Sequence, residues 1–168
     1  MRKIAVVPYD EKWPQLFEAE SLLIKTVLGG VAKNVHHIGS TSVPGLSAKP
    51  VIDILLEVSD ISALDNSAMT RVGYIARGEN GITGRQYFIK GGDRRSHQVH
   101  AFAVGDIQVL RHLAFRDYLI KNKDIAEEYA DIKREAAVIC QNDARRYSAL
   151  KEKFIEHHLQ LALNDLER

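Results

Sequence analysis

Residues 36–54 decide the fold of this chain, and they read HHIGSTSVPGLSAKPVIDI. A strand-like stretch ends at Gly39, and three hydroxyl side chains follow it at Ser40, Thr41 and Ser42. Glycine lets the backbone approach a ligand closely, and hydroxyls beside backbone amides suit phosphate oxygens. The segment is therefore predicted to be a phosphate-binding turn between two strands.

Two charged residues follow this turn. Lys49 adds a positive charge next to the predicted phosphate site, and Asp53 lies inside the apolar run of residues 51–58. An isolated buried carboxylate is costly, so Asp53 needs a cation, a metal or several hydrogen-bond donors as its partner. On the residues alone, a second interpretation stays open, in which the turn is solvated and Asp53 accepts backbone amides.

The hydrophobic periodicity on either side predicts an α+β fold. A helix is expected from Trp13 to Leu28, ended by Gly29-Gly30, and a short one from Ile61 to Val72. Strands are expected at about residues 35–38, 51–58, 74–77, 85–90 and 97–104, the last three as an antiparallel meander. After Gly105 the period becomes helical and stays so, which predicts three C-terminal helices, the last of them capped by Asp143.

Composition limits the class of protein. The 168 residues fit one domain, residues 1–168, and a net charge of +1 excludes a uniformly basic nucleic-acid binder. The single cysteine, Cys140, excludes an intrachain disulfide and a cysteine-rich zinc site. The longest apolar run has five residues, 136–140, whereas a membrane span needs ~20. We expect a cytoplasmic protein that does not associate with membranes.

Residues over almost the whole chain resemble the GrpB family, a widespread bacterial group assigned to the nucleotidyltransferase superfamily with the polymerase-β-like fold. The resemblance is carried by Pro8-Tyr9-Asp10, Trp13-Pro14, Phe17-Glu18-Ala19-Glu20, residues 37–46, Ala48-Lys49-Pro50, Gly73-Tyr74, Gly78-Glu79, Gly81-Ile82, Gly84-Arg85, Arg95, His97, Val99-His100, Phe115-Arg116-Asp117, Tyr147, Lys151 and Phe154-Ile155.

The resemblance implies a nucleotidyltransferase-like mixed β-sheet flanked by helices, with a C-terminal three-helix segment. It implies that the Gly-Ser turn holds the phosphates of a nucleotide triphosphate, and that carboxylates on the next strand hold Mg²⁺ or Mn²⁺ for in-line attack on phosphorus. The residues expected to bind phosphate or nucleotide are Gly39, Ser40, Thr41, Ser42, Lys49, Arg85 and Arg95.

The chain departs from the superfamily pattern at Leu55, which stands where the second metal carboxylate belongs. Glu57 shares that face of the strand but lies ~13 Å along it. Histidines from the predicted strand at 97–104 are the expected replacement. His97 and His100 point to opposite faces unless a bulge intervenes, and the apolar neighbours of His100 favour it.

The expected metal ligands are therefore Asp53, His100 and His97, with Asp53 and His100 as the catalytic pair. This combination suits Mn²⁺, Zn²⁺ or Fe²⁺ better than Mg²⁺. The alternative, in which both histidines only hydrogen-bond their neighbours, stays open.

Basic residues gather in the middle of the chain. Residues 85–123 contain eight Lys and Arg against three Asp, which indicates either an anion-binding surface or a solvated face. Tyr147 and Lys151 lie four residues apart on one face of a predicted helix. One interpretation is that both contact a nucleotide, and the other is that Tyr147 belongs to the core.

Three functions stay open at this point. The first is a nucleotidyltransferase-like enzyme that binds a nucleotide or another phosphate ligand and transfers a nucleotidyl group with a divalent metal. The second is a non-catalytic nucleotide- or phosphate-binding module that has lost the usual metal carboxylates. The third is metal-dependent hydrolysis by Asp53 and His100. The expected partner is a small-molecule nucleotide or phosphorylated substrate, with nucleic acid not excluded and with either a monomer or a homodimer.

Overall fold

Five strands form one mixed sheet in the computed structural model, which describes residues 2–167. The strands are β1 (Ala32–Ile38), β2 (Ile52–Val58), β3 (Ile75–Ala76), β4 (Gln86–Lys90) and β5 (His97–Ala103). Their order across the sheet is β1-β2-β5-β4-β3, with β2 and β5 parallel and every other pair antiparallel. The five predicted strands and the antiparallel meander of the last three are confirmed.

Five α-helices flank the sheet within residues 2–167. They are α1 (Trp13–Leu28), α2 (Asn66–Arg71), α3 (Ile107–Lys121), α4 (Lys123–Ile139) and α5 (Ala144–Leu166). The three-helix C-terminal segment is confirmed, and the Asp143 side chain accepts from the backbone amides of Arg145 and Arg146 at the start of α5. The fold class, a mixed sheet flanked by helices, is confirmed as well. No helix within residues 2–167 is both long enough and apolar enough to cross a membrane.

The predicted helix over residues 61–72 is wrong at its start, because α2 begins only at Asn66. Asp60 caps a single 3₁₀ turn, Ile61–Ala63, by accepting from the Ser62 amide. Asp65 then caps α2 by accepting from the amides of Ser67 and Ala68. Two capping aspartates five residues apart start two short helical pieces where the hydrophobic spacing alone suggests one.

The two faces of β2 meet different helices. Ile52, Ile54, Leu56 and Val58 belong to the largest apolar cluster, together with α1 residues such as Phe17 and Ile24. Leu55, on the opposite face, packs with Ile38, Phe102 and Val109 of α3. Residues two apart on a strand share a face, so Asp53 lies on the side of Leu55. The face that carries Asp53 is therefore the one that α3, α4 and α5 approach.

The segment between β1 and β2 is held on both sides. Val7 and Ala48 exchange backbone hydrogen bonds of 2.9 and 3.0 Å in an isolated antiparallel bridge. Val43 and Leu46 are buried against α3 and α4 in a second apolar cluster. These contacts fix the predicted phosphate turn and Lys49 relative to the sheet.

Gly39 begins this segment in a conformation that excludes a side chain. Its φ is +72°, and a Cβ at this position would lie 2.7 Å from Asp53 Oδ2 and 3.0 Å from Asp53 Cβ. The turn after β1 therefore lies directly against the carboxylate of β2, at a separation that only glycine allows.

We predict that Gly39→Ala destabilises the protein more than Gly45→Ala does. Both glycines have positive φ, so each alanine costs about 1–2 kcal/mol of backbone strain. A Cβ at Gly45 meets nothing within 4 Å, whereas at Gly39 it collides with Asp53. Urea unfolding of both variants measures the difference, and equal losses of unfolding free energy would contradict the close contact.

Candidate functional site

A cleft of about 950 Å³ opens on the Asp53 side of the sheet, between the turn after β1 and helices α4 and α5. Six of the residues predicted for the site line it: Gly39, Ser40, Thr41, Lys49, Asp53 and Arg95. A smaller cavity of about 200 Å³ lies beside it and is lined by His100 and His112. Asp53, Gly39 and Ser40 line both, so Asp53 stands at their junction.

Asp53 is held by neutral donors and by positive charge. His100 Nε2 lies 3.1 Å from Asp53 Oδ1. With the Gln98 amide oriented to satisfy all its partners, its nitrogen donates to the same oxygen at 2.9 Å, and its oxygen accepts from Arg95 and from the Tyr87 hydroxyl. The Asp53 side chain keeps 28% of its surface exposed.

Burial alone raises the pKa of Asp53. The hydrogen bond from His100 and the positive charges of Lys49 and Lys151 act against it, and this pKa lies below its ordinary value of 3.8. Asp53 is therefore an ionised carboxylate at neutral pH, directed into the cleft.

His100 has both ring nitrogens engaged. Arg85 Nη1 lies 3.2 Å from His100 Nδ1, and a guanidinium only donates. Nδ1 is therefore the acceptor, and Nε2 carries the proton that is donated to Asp53. The structure brings His100 to Asp53, as predicted, but as a hydrogen-bond donor. A metal at Nε2 would have to displace that proton.

Arg85 does not reach the cleft where the sequence predicted a phosphate contact. Its side chain is buried, at 6% exposure, and donates to the carbonyl oxygens of Glu79 at 3.1 Å and Asn80 at 2.9 Å, in addition to His100. The Arg85 donors are thus used within the protein, and Arg85 supports His100.

His97 and Ser42 are also directed elsewhere. The parallel register pairs Asp53 with Gln98, so His97 falls on the opposite face, where its Nε2 lies 3.8 Å from Glu20 Oε2. No bulge in β5 turns it toward Asp53. The Ser42 hydroxyl donates to the Gly39 carbonyl and so closes the turn on itself.

The side chains around Asp53 do not provide the ligands that a resident divalent metal needs. Leu55 is fully buried where a second carboxylate would stand, and the His100 nitrogens are occupied. Across residues 2–167, no three or more His, Cys, Asp and Glu side chains are grouped to hold a metal ion. Asp53 is a single carboxylate, and Mg²⁺ prefers several oxygen ligands.

Three lysines converge on the cleft from three separate segments: Lys49 from the loop, Lys133 from α4 and Lys151 from α5. The ammonium groups of Lys49 and Lys151 lie 4.6 and 4.4 Å from the centre of the Tyr147 ring. Lys133 is buried at 1% exposure; its ammonium donates to the Ser47 carbonyl at 2.6 Å and lies 4.7 Å from the Tyr129 ring.

The environment of these lysines disfavours their charged forms. Burial, together with the positive charges of Lys151, Arg134 and Lys49, lowers the pKa of Lys133 to about 7. Burial and the charge of Lys49 lower the pKa of Lys151 to about 8. The pKa of Lys49 is lowered too, first by burial and then by Arg2. Burial is the largest cause for all three lysines, and the positive charge of neighbouring side chains adds to it.

Lys133 is one site residue that the sequence analysis missed. It follows Tyr129 by four residues, on the side of α4 that is buried. A lysine next to the apolar stripe of Tyr129 and Ala136 is the signal that identifies it. Tyr147 is buried, at 1% exposure, as the core interpretation expects. Its ring also lines the cleft.

Comparison with known proteins identifies the family of the chain. The family described as "GrpB protein" matches residues 3–161. The chain is 43% identical over 157 residues to UPF0157 protein YqkA of Bacillus subtilis, covering 92% of this chain but only 46% of that protein. It is 37% identical to UPF0157 protein BH1888 of Halalkalibacterium halodurans, covering 95% of this chain and 82% of that protein.

A solved structure also matches. The crystal structure of conserved protein GrpB from Enterococcus faecalis superposes with a TM-score of 0.92 at 38% identity, over 98% of this chain and 100% of that one. The chain thus spans the whole of this relative, whereas it spans about half of YqkA.

We predict that the protein without ligand becomes more stable as the pH rises from 7 to 9.5. Lys133 and Lys151 have pKa values of about 7 and 8 in the folded chain, against 10.5 ordinarily. The unfolded chain therefore binds more protons in this window, and the unfolding free energy rises by up to ~1.4 kcal/mol per pH unit for each lysine.

Urea unfolding at several pH values measures this slope. The variant Lys133→Met/Lys151→Met should flatten it, and Lys121→Met/Lys153→Met, which changes exposed lysines, should keep it. His37 and His112 have pKa values of about 4 and titrate below the window. A wild-type stability that is flat or falls from pH 7 to 9.5 would contradict the lysine environment described above.

Proposed function

This chain belongs to the GrpB family, and on that premise we propose that it binds a nucleotide or another phosphorylated small molecule in the cleft beside Gly39. The observation that carries the proposal is the convergence of Lys49, Lys133 and Lys151 on one cavity. Like charges in a partly buried site repel each other, and an anionic ligand among them converts that repulsion into attraction.

The size and lining of the cleft support a ligand of nucleotide size. Its volume of about 950 Å³ is within the ~300–1,000 Å³ of small-molecule sites. Arg95 adds a guanidinium suited to phosphate oxygens. Glu152 and Glu156 of α5 line it as well, and they suit the hydroxyl or amino groups of a ligand rather than its phosphates.

A second candidate function is transfer of a nucleotidyl group. It is favoured by Asp53, an ionised carboxylate that faces the cleft directly beside the Gly-Ser turn. Because the residues around Asp53 do not fit a resident metal, Mg²⁺ or Mn²⁺ would enter only as part of a metal–nucleotide substrate. The non-catalytic binding module is favoured by Leu55 and by the engaged nitrogens of His100.

We predict that ATP, GTP, CTP or UTP raises the melting temperature of the wild type, and that Ser40→Ala/Lys49→Ala diminishes this shift. The variant removes a turn hydroxyl and an ammonium group that line the cleft. A tenfold weaker affinity at saturating ligand lowers ligand stabilisation by ~1.4 kcal/mol.

The matched control is Ser67→Ala/Lys153→Ala, which changes one exposed serine and one exposed lysine away from the cleft. It should keep the full shift. An unchanged shift in Ser40→Ala/Lys49→Ala would show that the ligand binds elsewhere. A wild type that binds none of these nucleotides, pyrophosphate or orthophosphate would overturn the proposed function.

For the second candidate, we predict that Asp53→Asn abolishes release of pyrophosphate from a nucleotide while nucleotide binding persists. The substitution keeps the shape of the side chain and removes the anionic oxygen that would contact the metal of a metal–nucleotide substrate. The assay runs with Mg²⁺ or Mn²⁺ over a panel of acceptors, with the exposed Asp165→Asn as control. If the wild type binds nucleotide and releases no pyrophosphate with any acceptor, the binding-module function is supported instead.

A further inference from the structure

We propose that Lys49, Lys133 and Lys151 form an anion subsite that takes two or more linked phosphates without a divalent metal. In this subsite, which we call the lysine triad, ammonium groups supply the positive charge that a bound metal would otherwise bring. This inference rests on the proposed function, because it names the ionic form in which a phosphate ligand enters the same cleft.

The first argument is geometric. The triad members come from a loop and two helices, so their convergence differs from the charged outer face of a single helix. Two of the ammonium groups share the Tyr147 ring, at 4.6 and 4.4 Å from its centre. The third is fixed by the Ser47 carbonyl, in the segment that also supplies Lys49. The rings and the carbonyl orient the ammonium groups without neutralising them.

The second argument concerns charge. Asp53 is the carboxylate at the inner end of the cleft, and His100 and Gln98 already bond its Oδ1 atom. The cleft is lined by seven Lys and Arg side chains and by three carboxylates, those of Asp53, Glu152 and Glu156, so the basic groups exceed the acidic ones by four. A phosphate group carries about 1.5–2 negative charges and three acceptor oxygens, so a single one falls short of this donor set. Two or more linked phosphates match it in charge and in the number of acceptor oxygens.

The third argument concerns the metal. Mg²⁺ bound to a phosphate chain removes two negative charges from the ligand and occupies oxygens that the triad would contact. The residues around Asp53 offer little in return, because Leu55 stands in place of a second carboxylate and both His100 nitrogens are engaged. The metal-free anion is therefore the better ligand for this cleft. A site that holds its nucleotide through metal-binding carboxylates has the opposite preference.

Titration calorimetry with inorganic pyrophosphate tests the proposal on the full chain. The wild type is titrated at one ionic strength in EDTA and in millimolar Mg²⁺, with orthophosphate as the shorter ligand. We expect pyrophosphate to bind in EDTA, and to bind about tenfold or more weakly in Mg²⁺. We expect orthophosphate to bind about tenfold or more weakly than pyrophosphate in EDTA.

Two methionine variants assign the effect to the triad. Lys151→Met removes one ammonium group and keeps a side chain of similar length, so pyrophosphate affinity in EDTA should fall about tenfold. Lys153→Met, two residues further along α5 and exposed, should keep the wild-type affinity. Near-ultraviolet circular dichroism checks that both variants fold, and the comparison with and without Mg²⁺ needs no variant.

The outcomes separate this inference from the proposed function. Pyrophosphate or nucleotide that binds only with Mg²⁺, or equally well with and without it, overturns the metal-free subsite and leaves phosphate binding in place. Equal affinity for orthophosphate and pyrophosphate overturns the assignment to linked phosphates. Failure of orthophosphate, pyrophosphate and all four nucleotides to bind under either condition overturns both.

Discussion

The site depends on the close approach of Gly39 to Asp53. The carboxylate of β2 occupies the space that a Cβ on residue 39 would need, at 2.7 Å from Oδ2. This contact joins the end of one strand to the beginning of the next and leaves the backbone of the turn beside a negative charge. The hydrogen bond from His100 and the positive charges of Lys49 and Lys151 keep the pKa of Asp53 low despite burial.

The C-terminal helices supply part of the charged lining of the cleft. The strands and the turn provide Asp53, Lys49 and Arg95, whereas Lys133 and Lys151 come from α4 and α5. Placing three ammonium groups in one partly buried cleft costs folding free energy, which is the usual relation between stability and a site prepared for a charged ligand. The fold tolerates this because large apolar clusters lie on both sides of the sheet.

Most of the architecture could be predicted from the sequence, and so could the position of the site. The near-continuous apolar run of residues 51–58 and the helical period after Gly105 are local signals, and the resemblance located Asp53 next to the Gly-Ser turn. Alternation along a strand put His97 and His100 on opposite faces, and the apolar neighbours of His100 indicated that it shares the face of Asp53. Arg85 could not be placed, because its direction depends on the carbonyls of Glu79 and Asn80 in an irregular loop. Lys133 was missed because helical spacing does not reveal what lies opposite a helix, here the carbonyl of Ser47.

The contacts of Arg85 fix which atoms donate and which accept in the hydrogen bonds that lead to Asp53. Two backbone carbonyls of an exposed loop orient the guanidinium, the guanidinium makes one imidazole nitrogen an acceptor, and the other nitrogen must then donate to Asp53. The Glu79 carboxylate also accepts from the Gly84 amide at 2.6 Å and so closes that loop. The carbonyl groups of a surface loop therefore determine which nitrogen of His100 donates a hydrogen bond to the carboxylate in the cleft.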